Sequence, residues 1–340
     1  MRKIRIGHIG TKHDHSEGKM QCVRKFPDVF EVAGIVENDP EQRAIAQQNP
    51  TYAGIPWMTE EELFNSNLDA VMIEGFEKDL PYDALKCVKH GLHVHVDKPA
   101  GCDLPVFKEV LTTAKQKGLT VQMAYMYRYN PAVQDCLCRI RSGELGEVNC
   151  ITATMNTDHI TPKRDWLNNF TGGDMFFLGC HMCDLVYLMQ GAPRKITPFV
   201  AKSGFDGVTA PDVSMAVWEY DNGISTVQAH STEIGAWTRR QLIVSGSRAT
   251  YRIMPLEVPI QASLFTRVPA PHYAHQFEET PLSIETVPGD CRYDEMMLDF
   301  ARMVRGEAEN PFDYNYEYEL EKLVLASSGY DVDITKKETI

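Results

Sequence analysis

The chain has 340 residues, of which 43% are hydrophobic and 24% are charged, and its formal net charge is −13. At about 150 residues per domain this length predicts two domains, and the composition is typical of a globular protein rather than a disordered one. An acidic chain repels polyanions on average, so we expect neither nucleic acid nor an anionic membrane surface as a partner.

The nine cysteines are an odd number spread through a long chain. This does not fit the disulfide framework of a small secreted protein. The first residues lack the apolar segment of a signal peptide. The most apolar later stretch, 175–189, is interrupted by His181 and Asp184 and is too short to cross a bilayer. We therefore expect a cytoplasmic protein without a membrane anchor.

The first 125 residues alternate between strand and helix patterns. Short β-branched runs predict strands over 4–9, 29–36, 70–73, 93–96 and 120–123, and apolar periodicity predicts helices over 17–26, 40–48, 60–64, 82–90 and 105–117. Such alternation with short connections is typical of βαβ crossovers. It predicts an α/β domain over residues 1–125 with a doubly wound, Rossmann-type parallel sheet.

The remaining residues have a different pattern. After a helix over 132–142, two-residue alternation predicts strands over 147–157, 196–202, 213–220, 224–230, 241–245 and 250–253, with helices over 173–190, 293–305 and 316–328. The turn at 221–223, which reads DNG, is typical of an antiparallel hairpin. Residues 126–340 are therefore predicted to form an α+β domain with a largely antiparallel open sheet.

The first strand leads into a loop, 7–15, that reads GHIGTKHDH. A strand turning into a helix N-terminus places backbone N–H groups beside an anion, and dinucleotide-binding loops use the pattern G-x-G-x-x-G there. Only the first glycine of that pattern is present, because Lys12 and His15 hold the other two places. The candidate cofactor contacts in this loop are Gly10, Thr11, Lys12, His13 and His15. A tight turn of polar residues is the alternative interpretation.

Two charged residues follow later strands of the same predicted sheet. Glu37 ends the second strand, where a carboxylate can bind both hydroxyls of an adenosine ribose and would repel a 2′-phosphate, so NAD is favoured over NADP. Lys98 ends the fourth strand, where an ammonium could stabilise developing alkoxide charge on a substrate. For Glu37 the alternative is a solvent-exposed acid without a ligand, and for Lys98 it is an ordinary exposed lysine at a strand end.

Four ordered motifs extend these observations across the chain. They are Asp97-Lys98-Pro99, RYNP at 128–131, SGELG at 142–146 and GGDMFFLGCHMCD at 172–184. Together they resemble the glucose-fructose oxidoreductase / inositol dehydrogenase / MocA family of NAD(P)-dependent oxidoreductases over essentially the whole length.

The resemblance implies that Lys98 and His181 face the nicotinamide across the substrate, with the active site between the two domains. His181 would be the general base, since imidazole titrates near neutrality. The further residues carried over are, for the cofactor, Glu74, Asp97 and Arg128, and, for the substrate, Lys98, Tyr127, Arg164, Trp166, Asp174, His181 and Asp184. One position departs from the family pattern, because Phe177 stands where catalytic members commonly have an aspartate.

A metal site is the alternative role for the histidines of the loop and for the group Cys180, His181 and Cys183. Zinc sites need a second spaced pair of ligands, and none is evident in the sequence, so no metal is expected. The leading hypothesis is an NAD-dependent oxidoreductase acting on a secondary alcohol of a sugar, sugar derivative or cyclic polyol. Redox-neutral glycoside cleavage or epimerisation, and a non-catalytic dinucleotide or sugar sensor, remain alternatives. The resemblance also implies a homodimer or homotetramer formed through the second-domain sheet.

Overall fold

A computed structural model of the chain describes residues 2–270, 275–285 and 288–340. The chain divides into two compact units. Unit 1 contains the described residues of Met1–Met126, Asp290–Glu321 and Glu338–Ile340, and unit 2 contains those of Tyr127–Gly289 and Lys322–Lys337.

Unit 1 is built on a five-stranded sheet with the order β2-β1-β3-β4-β5, and every pair of neighbouring strands is parallel. The strands are β1 (Ile4–Ile9), β2 (Phe30–Val36), β3 (Ala70–Ile73), β4 (His93–Val96) and β5 (Val121–Met123). The helices are α1 (Ser16–Lys25), α2 (Pro40–Ala46), α3 (Glu60–Phe64), α4 (Leu80–Lys89) and α5 (Leu104–Lys117). The predicted doubly wound sheet is confirmed, and its strand order reverses between β1 and β3.

The local sequence explains these elements. All four residues of β3 are buried, as expected for a strand covered on both faces by helices. Asp39 caps α2 by accepting the N–H groups of Glu41 and Gln42. Gly118 ends α5 in the left-handed conformation.

The C-terminal helices do not follow the predicted domain boundary. The sequence analysis assigned all of 126–340 to the second domain, but α9 (Asp294–Val304) and the first part of α10 (Tyr314–Ser327) lie in unit 1. The reason is that α9 packs against side chains of β4 and β5. The ring of Phe300 contacts His95, and Gln122 donates to the carbonyl of Met296 at 3.1 Å.

Unit 2 is built on an eight-stranded sheet with the order β13-β12-β11-β10-β6-β9-β8-β7. Its strands are β6 (Val148–Thr154), β7 (Lys195–Ala201), β8 (Val213–Glu219), β9 (Ile224–His230), β10 (Gln241–Gly246), β11 (Ala249–Ile253), β12 (Ala262–Val268) and β13 (Gln276–Leu282). Its helices are α6 (Pro131–Arg141), α7 (Thr161–Trp166) and α8 (Cys180–Gln190). Only the β6–β9 pair is parallel among the described pairs of this sheet. The predicted α+β arrangement is confirmed.

Short turns of other helical types complete the described chain. The 3₁₀ turns are Pro50–Tyr52, Met126–Tyr129, Leu167–Asn169, Phe205–Gly207, Ala236–Arg239 and Gly289–Cys291. The predicted helix 173–190 begins instead with a π-helical turn, Met175–Gly179, before α8. Such turns insert an extra residue and occur frequently at functional sites.

Three elements of unit 2 differ from the sequence analysis. The sequence analysis predicted no element over β12, β13 or α7. β13 is exposed along most of its length and carries no two-residue alternation of burial, so its sequence lacks the usual strand pattern. Within the described ranges, the structure contains no helix long and apolar enough to cross a membrane.

Candidate functional site

A cavity of about 280 Å³ lies at the carboxyl edge of the unit 1 sheet. It is lined by Gly10, Lys12, Glu37, Asp39, Gly75 and Asp83, among others. These residues follow β1, β2 and β3, so the cavity lies where the strand order reverses. Ligands of open α/β sheets bind at this position.

Gly10 lets two loops approach each other beside the cavity. Its φ is +82°, and a Cβ at this position would lie 2.4 Å from the Cα of Gly75. A side chain therefore cannot be accommodated without moving the backbone. The first glycine of the predicted fingerprint is thus required by the fold itself.

The loop after β1 is held by side chains that follow β2. The Glu37 carboxylate accepts the N–H and the hydroxyl of Thr11, both at 2.8 Å. Gln42 donates to the Thr11 carbonyl at 2.9 Å. The Lys12 ammonium pairs with Asp39 at 2.7 Å. Glu37 and Lys12, two of the candidate cofactor contacts, therefore line the cavity, and each is already bound to a neighbour within unit 1.

A buried lysine joins two carboxylates below this loop. Lys19 Nζ lies 2.9 Å from Glu74 and 2.5 Å from Asp97, and all three side chains are fully buried. Burial and the neighbouring Asp97 carboxylate raise the pKa of Glu74 well above its usual range. Glu74, a predicted cofactor contact, thus has Lys19 as its partner in the interior of unit 1.

Asp97 is also surrounded by the two histidines of the loop. His15 Nδ1 lies 3.2 Å and His13 Nδ1 lies 3.3 Å from its carboxylate oxygens. Asp97 also accepts the backbone N–H of Lys98 at 2.6 Å. Burial opposes ionisation of Asp97, but its contacts with His13 and Lys19 hold its pKa well below the usual range. Lys98 itself is fully buried.

The segment after Lys98 is fixed from α10. Ala100 donates its N–H to the Glu321 carboxylate at 2.9 Å, and Glu321 is buried. Burial raises the pKa of Glu321 from 4.5 to about 8. A buried neutral acid on α10 therefore positions the backbone two residues after Lys98.

The raised pKa of Glu321 predicts a pH-dependent stability. The folded chain keeps the proton up to about pH 8, whereas the unfolded chain releases it near pH 4.5. This group should lower the free energy of unfolding by up to about 1.4 kcal/mol per pH unit across that window. The Glu321→Gln variant should lose this slope and exceed the wild type in stability at pH 8. Urea denaturation at pH 5, 6.5 and 8 measures the difference.

The matched control for this prediction is Glu295→Gln on α9, whose side chain is 68% exposed. The difference in the free energy of unfolding between Glu295→Gln and the wild type should stay constant with pH. If the free energy of unfolding of Glu321→Gln falls with pH as steeply as that of the wild type, Glu321 is not the group responsible for the slope. Other titrating groups cancel because each comparison is made between variants at the same pH.

In unit 2, His181 lies on the first turn of α8 and is buried. The Tyr127 ring meets it edge-on, with the ring centroids 4.9 Å apart. The Tyr127 hydroxyl donates to Glu257, and Glu257 pairs with Arg240 at 2.8 Å. The structure thus brings two predicted residues, Tyr127 and His181, together with an ion pair that was not predicted.

Three predicted charged residues have partners within unit 2. Arg128 forms a buried ion pair with Asp184, with N–O distances of 2.8 to 3.0 Å. Arg164 is buried and pairs with Asp206 and, at 3.4 Å, with Asp212. The guanidinium groups are therefore neutralised by carboxylates of the same unit.

Phe177 packs in an aromatic cluster. Its ring meets Trp166 edge-on at 5.1 Å, and the Lys163 ammonium lies over both rings, 3.6 Å from the Trp166 centroid and 4.3 Å from that of Phe177. Leu167, Val208 and Ala210 complete the apolar contacts of Phe177. The position where relatives commonly have an aspartate is therefore apolar and buried here. Asp174, at the start of the π-helical turn, is fully buried.

The double glycine before this turn has a steric cause. A Cβ on Gly173 would lie 1.9 Å from the carbonyl oxygen of Pro211, and one on Gly172 would lie 2.3 Å from that of Ser328. Both residues also have positive φ. The motif at 172–173 is thus fixed by close backbone approach.

Residues 4–125 match the oxidoreductase family with an NAD-binding Rossmann fold, and residues 134–252 match the GFO/IDH/MocA C-terminal domain. The chain belongs to the GFO/IDH/MocA oxidoreductase family. The resemblance stated from the sequence motifs is confirmed.

Individual relatives of this GFO/IDH/MocA chain are distant. Trans-1,2-dihydrobenzene-1,2-diol dehydrogenase of Bos taurus is 25% identical over 174 residues, which are 50% of each chain. D-xylose 1-dehydrogenase (NADP(+)) 2 of Haloferax volcanii is 29% identical over 206 residues, 57% of this chain and 59% of that enzyme. The chain therefore matches only about half to three fifths of the length of these curated relatives.

A solved structure covers much more of the chain. UDP-N-acetylglucosamine 3-dehydrogenase from Acidithiobacillus ferrooxidans superposes with a TM-score of 0.75 at 16% identity, over 97% of this chain and 98% of that one. At this identity the likeness shows the shared fold.

Sequence reasoning missed several polar residues of this GFO/IDH/MocA chain. Lys19 could have been found as a lysine on the apolar face of α1, next to the buried Met20. Glu257 and Arg240 lie in segments flanking β10 and β11, and they meet Tyr127 only through the strand order. No local pattern marks them.

Proposed function

We propose that this chain is an NAD-dependent oxidoreductase that transfers a hydride between the nicotinamide and a secondary alcohol or ketone of a sugar, sugar derivative or cyclic polyol. The observation that carries the proposal is the cavity at the reversal point of the unit 1 sheet, beside the Gly10–Gly75 approach. Its place in the fold fits the adenosine half of a dinucleotide.

The residues around the cavity favour NAD over NADP. Glu37, Asp39 and Asp83 are carboxylates of its lining, and Lys12, which could bind a phosphate, is paired with Asp39. Adding a 2′-phosphate beside these carboxylates would bring like charges together. Gly10, Thr11, Lys12 and Glu37 would therefore hold the adenosine end of NAD.

The dinucleotide, when bound, supplies the hydride acceptor or donor. The chain's own residues then handle the substrate and its proton. We assign His181 as the base that removes the hydroxyl proton, and Lys98 as the group that stabilises charge on the substrate oxygen. Both residues match motifs of the family, and the Tyr127 ring edge restrains the imidazole of His181.

Cofactor binding provides the first test. Isothermal titration of the purified chain should show NAD⁺ binding at least about tenfold more tightly than NADP⁺, which corresponds to about 1.4 kcal/mol. The Glu37→Gln variant keeps an oxygen that accepts the Thr11 N–H but removes the negative charge. It should therefore reduce the difference in affinity between NAD⁺ and NADP⁺. Glu31→Gln, on the exposed part of β2, is the control. Absence of binding, or equal affinity for both cofactors, would overturn the cofactor assignment.

Turnover distinguishes the reaction classes. With free aldoses and cyclic polyols, formation of NADH at 340 nm supports the proposed dehydrogenase. Glycoside cleavage or epimerisation without net NADH formation would instead assign the redox-neutral reaction. Cofactor and sugar binding with no turnover, and with Lys98→Met and His181→Ala behaving as the wild type, would assign a sensor.

Two further expectations belong to this proposal. All nine cysteines are free thiols, which fits a reducing cytoplasm. We also propose a homodimer or homotetramer, as the family resemblance implies, and light scattering of the full chain would measure its mass.

A further inference from the structure

Two histidines of the loop after β1 converge on a single carboxylate. We propose that His13, His15 and Asp97 form a binding site for one divalent transition-metal ion. This inference goes beyond the proposed oxidoreductase function. It does not depend on that function, because metal binding is proposed for, and tested on, the chain with no dinucleotide bound.

The spacing of the three ligand atoms fits a metal centre. His13 Nδ1 and His15 Nδ1 lie 3.3 and 3.2 Å from Asp97 oxygens, and one ligand atom from each residue can be chosen so that all lie within 4.8 Å of one another. Zinc binds such atoms at about 2.0–2.2 Å in tetrahedral geometry. Two ligands of a tetrahedral centre are then about 3.3–3.6 Å apart. The 3.2 Å from His15 Nδ1 to Oδ1 of Asp97 matches this value, whereas the 3.3 Å from His13 Nδ1 is measured to Oδ2, so the three groups would have to draw closer around an ion.

The hydrogen bonds of His13 fix the tautomer that a metal needs. Its Nε2 lies 3.2 Å from the carbonyl oxygen of Lys98 and 3.6 Å from a carboxylate oxygen of Glu77. Both neighbours are acceptors, so Nε2 carries the proton. Nδ1 is consequently unprotonated, and its lone pair accepts the N–H of His15 at 3.2 Å, so a bound ion would take the place of that N–H. Ligating histidines almost always donate their other N–H to a carbonyl or carboxylate in this way.

Two buried ammonium groups, Lys19 and Lys98, act on the histidines and would oppose a bound cation. The Lys19 ammonium contacts Oδ2 of Asp97 and also pairs with Glu74. The other oxygen, Oδ1, accepts the Lys98 N–H at 2.6 Å and lies 3.2 Å from His15 Nδ1, and its second lone pair is the one we assign to the metal. Lys19 would then hold Oδ2 and orient the carboxylate.

The donor set selects the class of ion. Two imidazole nitrogens and one carboxylate oxygen suit Zn²⁺, Co²⁺ or Fe²⁺, whereas Mg²⁺ and Ca²⁺ prefer oxygen ligands. Three protein ligands leave a fourth position open in a tetrahedral centre. The His15 side chain is 11% exposed, and it gives the site a contact with solvent.

The test uses the untagged full chain, because a polyhistidine tag would bind metal itself. Chelator-treated protein is loaded with Zn²⁺ or Co²⁺, desalted and analysed for metal by mass spectrometry, without dinucleotide. We expect about one ion per chain in the wild type and a loss of at least about tenfold in affinity in His15→Gln, since a ligand is removed. The control is His90→Gln, an exposed histidine of the same unit, which should bind as the wild type.

X-ray absorption of the Zn²⁺-loaded wild type tests the site without any variant. Scattering from two imidazoles would support the assignment, even where His15→Gln fails to fold. The proposal is overturned by less than about 0.1 ion per chain, by a shell without imidazole, or by unchanged binding in a folded His15→Gln. NAD⁺ titration of the metal-free chain keeps a failure of this site distinct from a failure of the proposed cofactor binding.

Discussion

The His181→Gln variant should lose about 10²–10⁴-fold in kcat, the usual contribution of a general base. Glutamine keeps the size and polarity of the side chain but cannot accept a proton from an alcohol. The cavity assigned to adenosine is lined by residues of unit 1 alone, so we expect the Kd for NAD⁺ to change much less than kcat. Steady-state kinetics on the substrate identified by NADH formation, together with titration of NAD⁺, measures both quantities.

Tyr127→Phe is the matched control for His181. It keeps the ring edge against the imidazole and removes only the hydroxyl that donates to Glu257. We expect a much smaller loss in kcat than for His181→Gln. A His181→Gln variant with wild-type kcat, and with an unchanged alkaline or acidic limb in its pH profile, would remove His181 from the proposed mechanism.

The second large effect concerns stability. Lys19→Met should lower the free energy of unfolding by about 3–5 kcal/mol, because it leaves two fully buried carboxylates without their shared cation. Lys19 lowers the pKa of Glu74, so its loss raises that pKa further. Glu74 therefore keeps its proton to a higher pH in the variant, and the deficit in the free energy of unfolding should be smaller at pH 5 than at pH 8. Urea denaturation of the variant and the wild type at both pH values measures this difference in the free energy of unfolding.

Lys25→Met on the same helix is the control for this prediction. The Lys25 ammonium pairs with Asp294 at 2.5 Å, but its side chain is 39% exposed, so we expect a much smaller loss of stability than for Lys19→Met. The double variant Lys19→Met with Glu74→Gln should recover part of the stability, since one buried charge is removed. A Lys19→Met deficit as small as that of Lys25→Met would contradict the buried-charge interpretation.

The sequence was most informative where local patterns are strong. The strands 4–9, 70–73 and 93–96 were predicted with the bounds they have in β1, β3 and β4. Each is a compact apolar run, and the three pair side by side in the centre of the sheet. Gly10 and the double glycine at 172–173 were also singled out as parts of sequence motifs. The structure gives the physical reason, because close backbone approach leaves room only for glycine at those places.

Elements without a periodic pattern could not be predicted. β13 is exposed and polar, and it exists because it pairs with β12 along its whole length. The partners of candidate residues were likewise hidden. Arg128 meets Asp184 through the packing of unit 2 rather than through sequence spacing. From the sequence, Arg128 and Asp184 were each interpreted as a ligand contact, whereas in the structure the two side chains neutralise each other.

The two-part composition of unit 1 affects the order in which the chain can fold during synthesis. Gln122 on β5 bonds to Met296, which is 174 residues later, and the Leu119 carbonyl accepts from Tyr314, which is 195 residues later. The edge of the parallel sheet therefore remains uncovered while the ribosome makes all of Tyr127–Gly289. Non-local contacts of this kind slow folding, and uncovered strand edges favour aggregation. Nascent unit 1 thus stays partly uncovered until α9 and α10 emerge, and this interval is when we expect the chain to be most prone to aggregation.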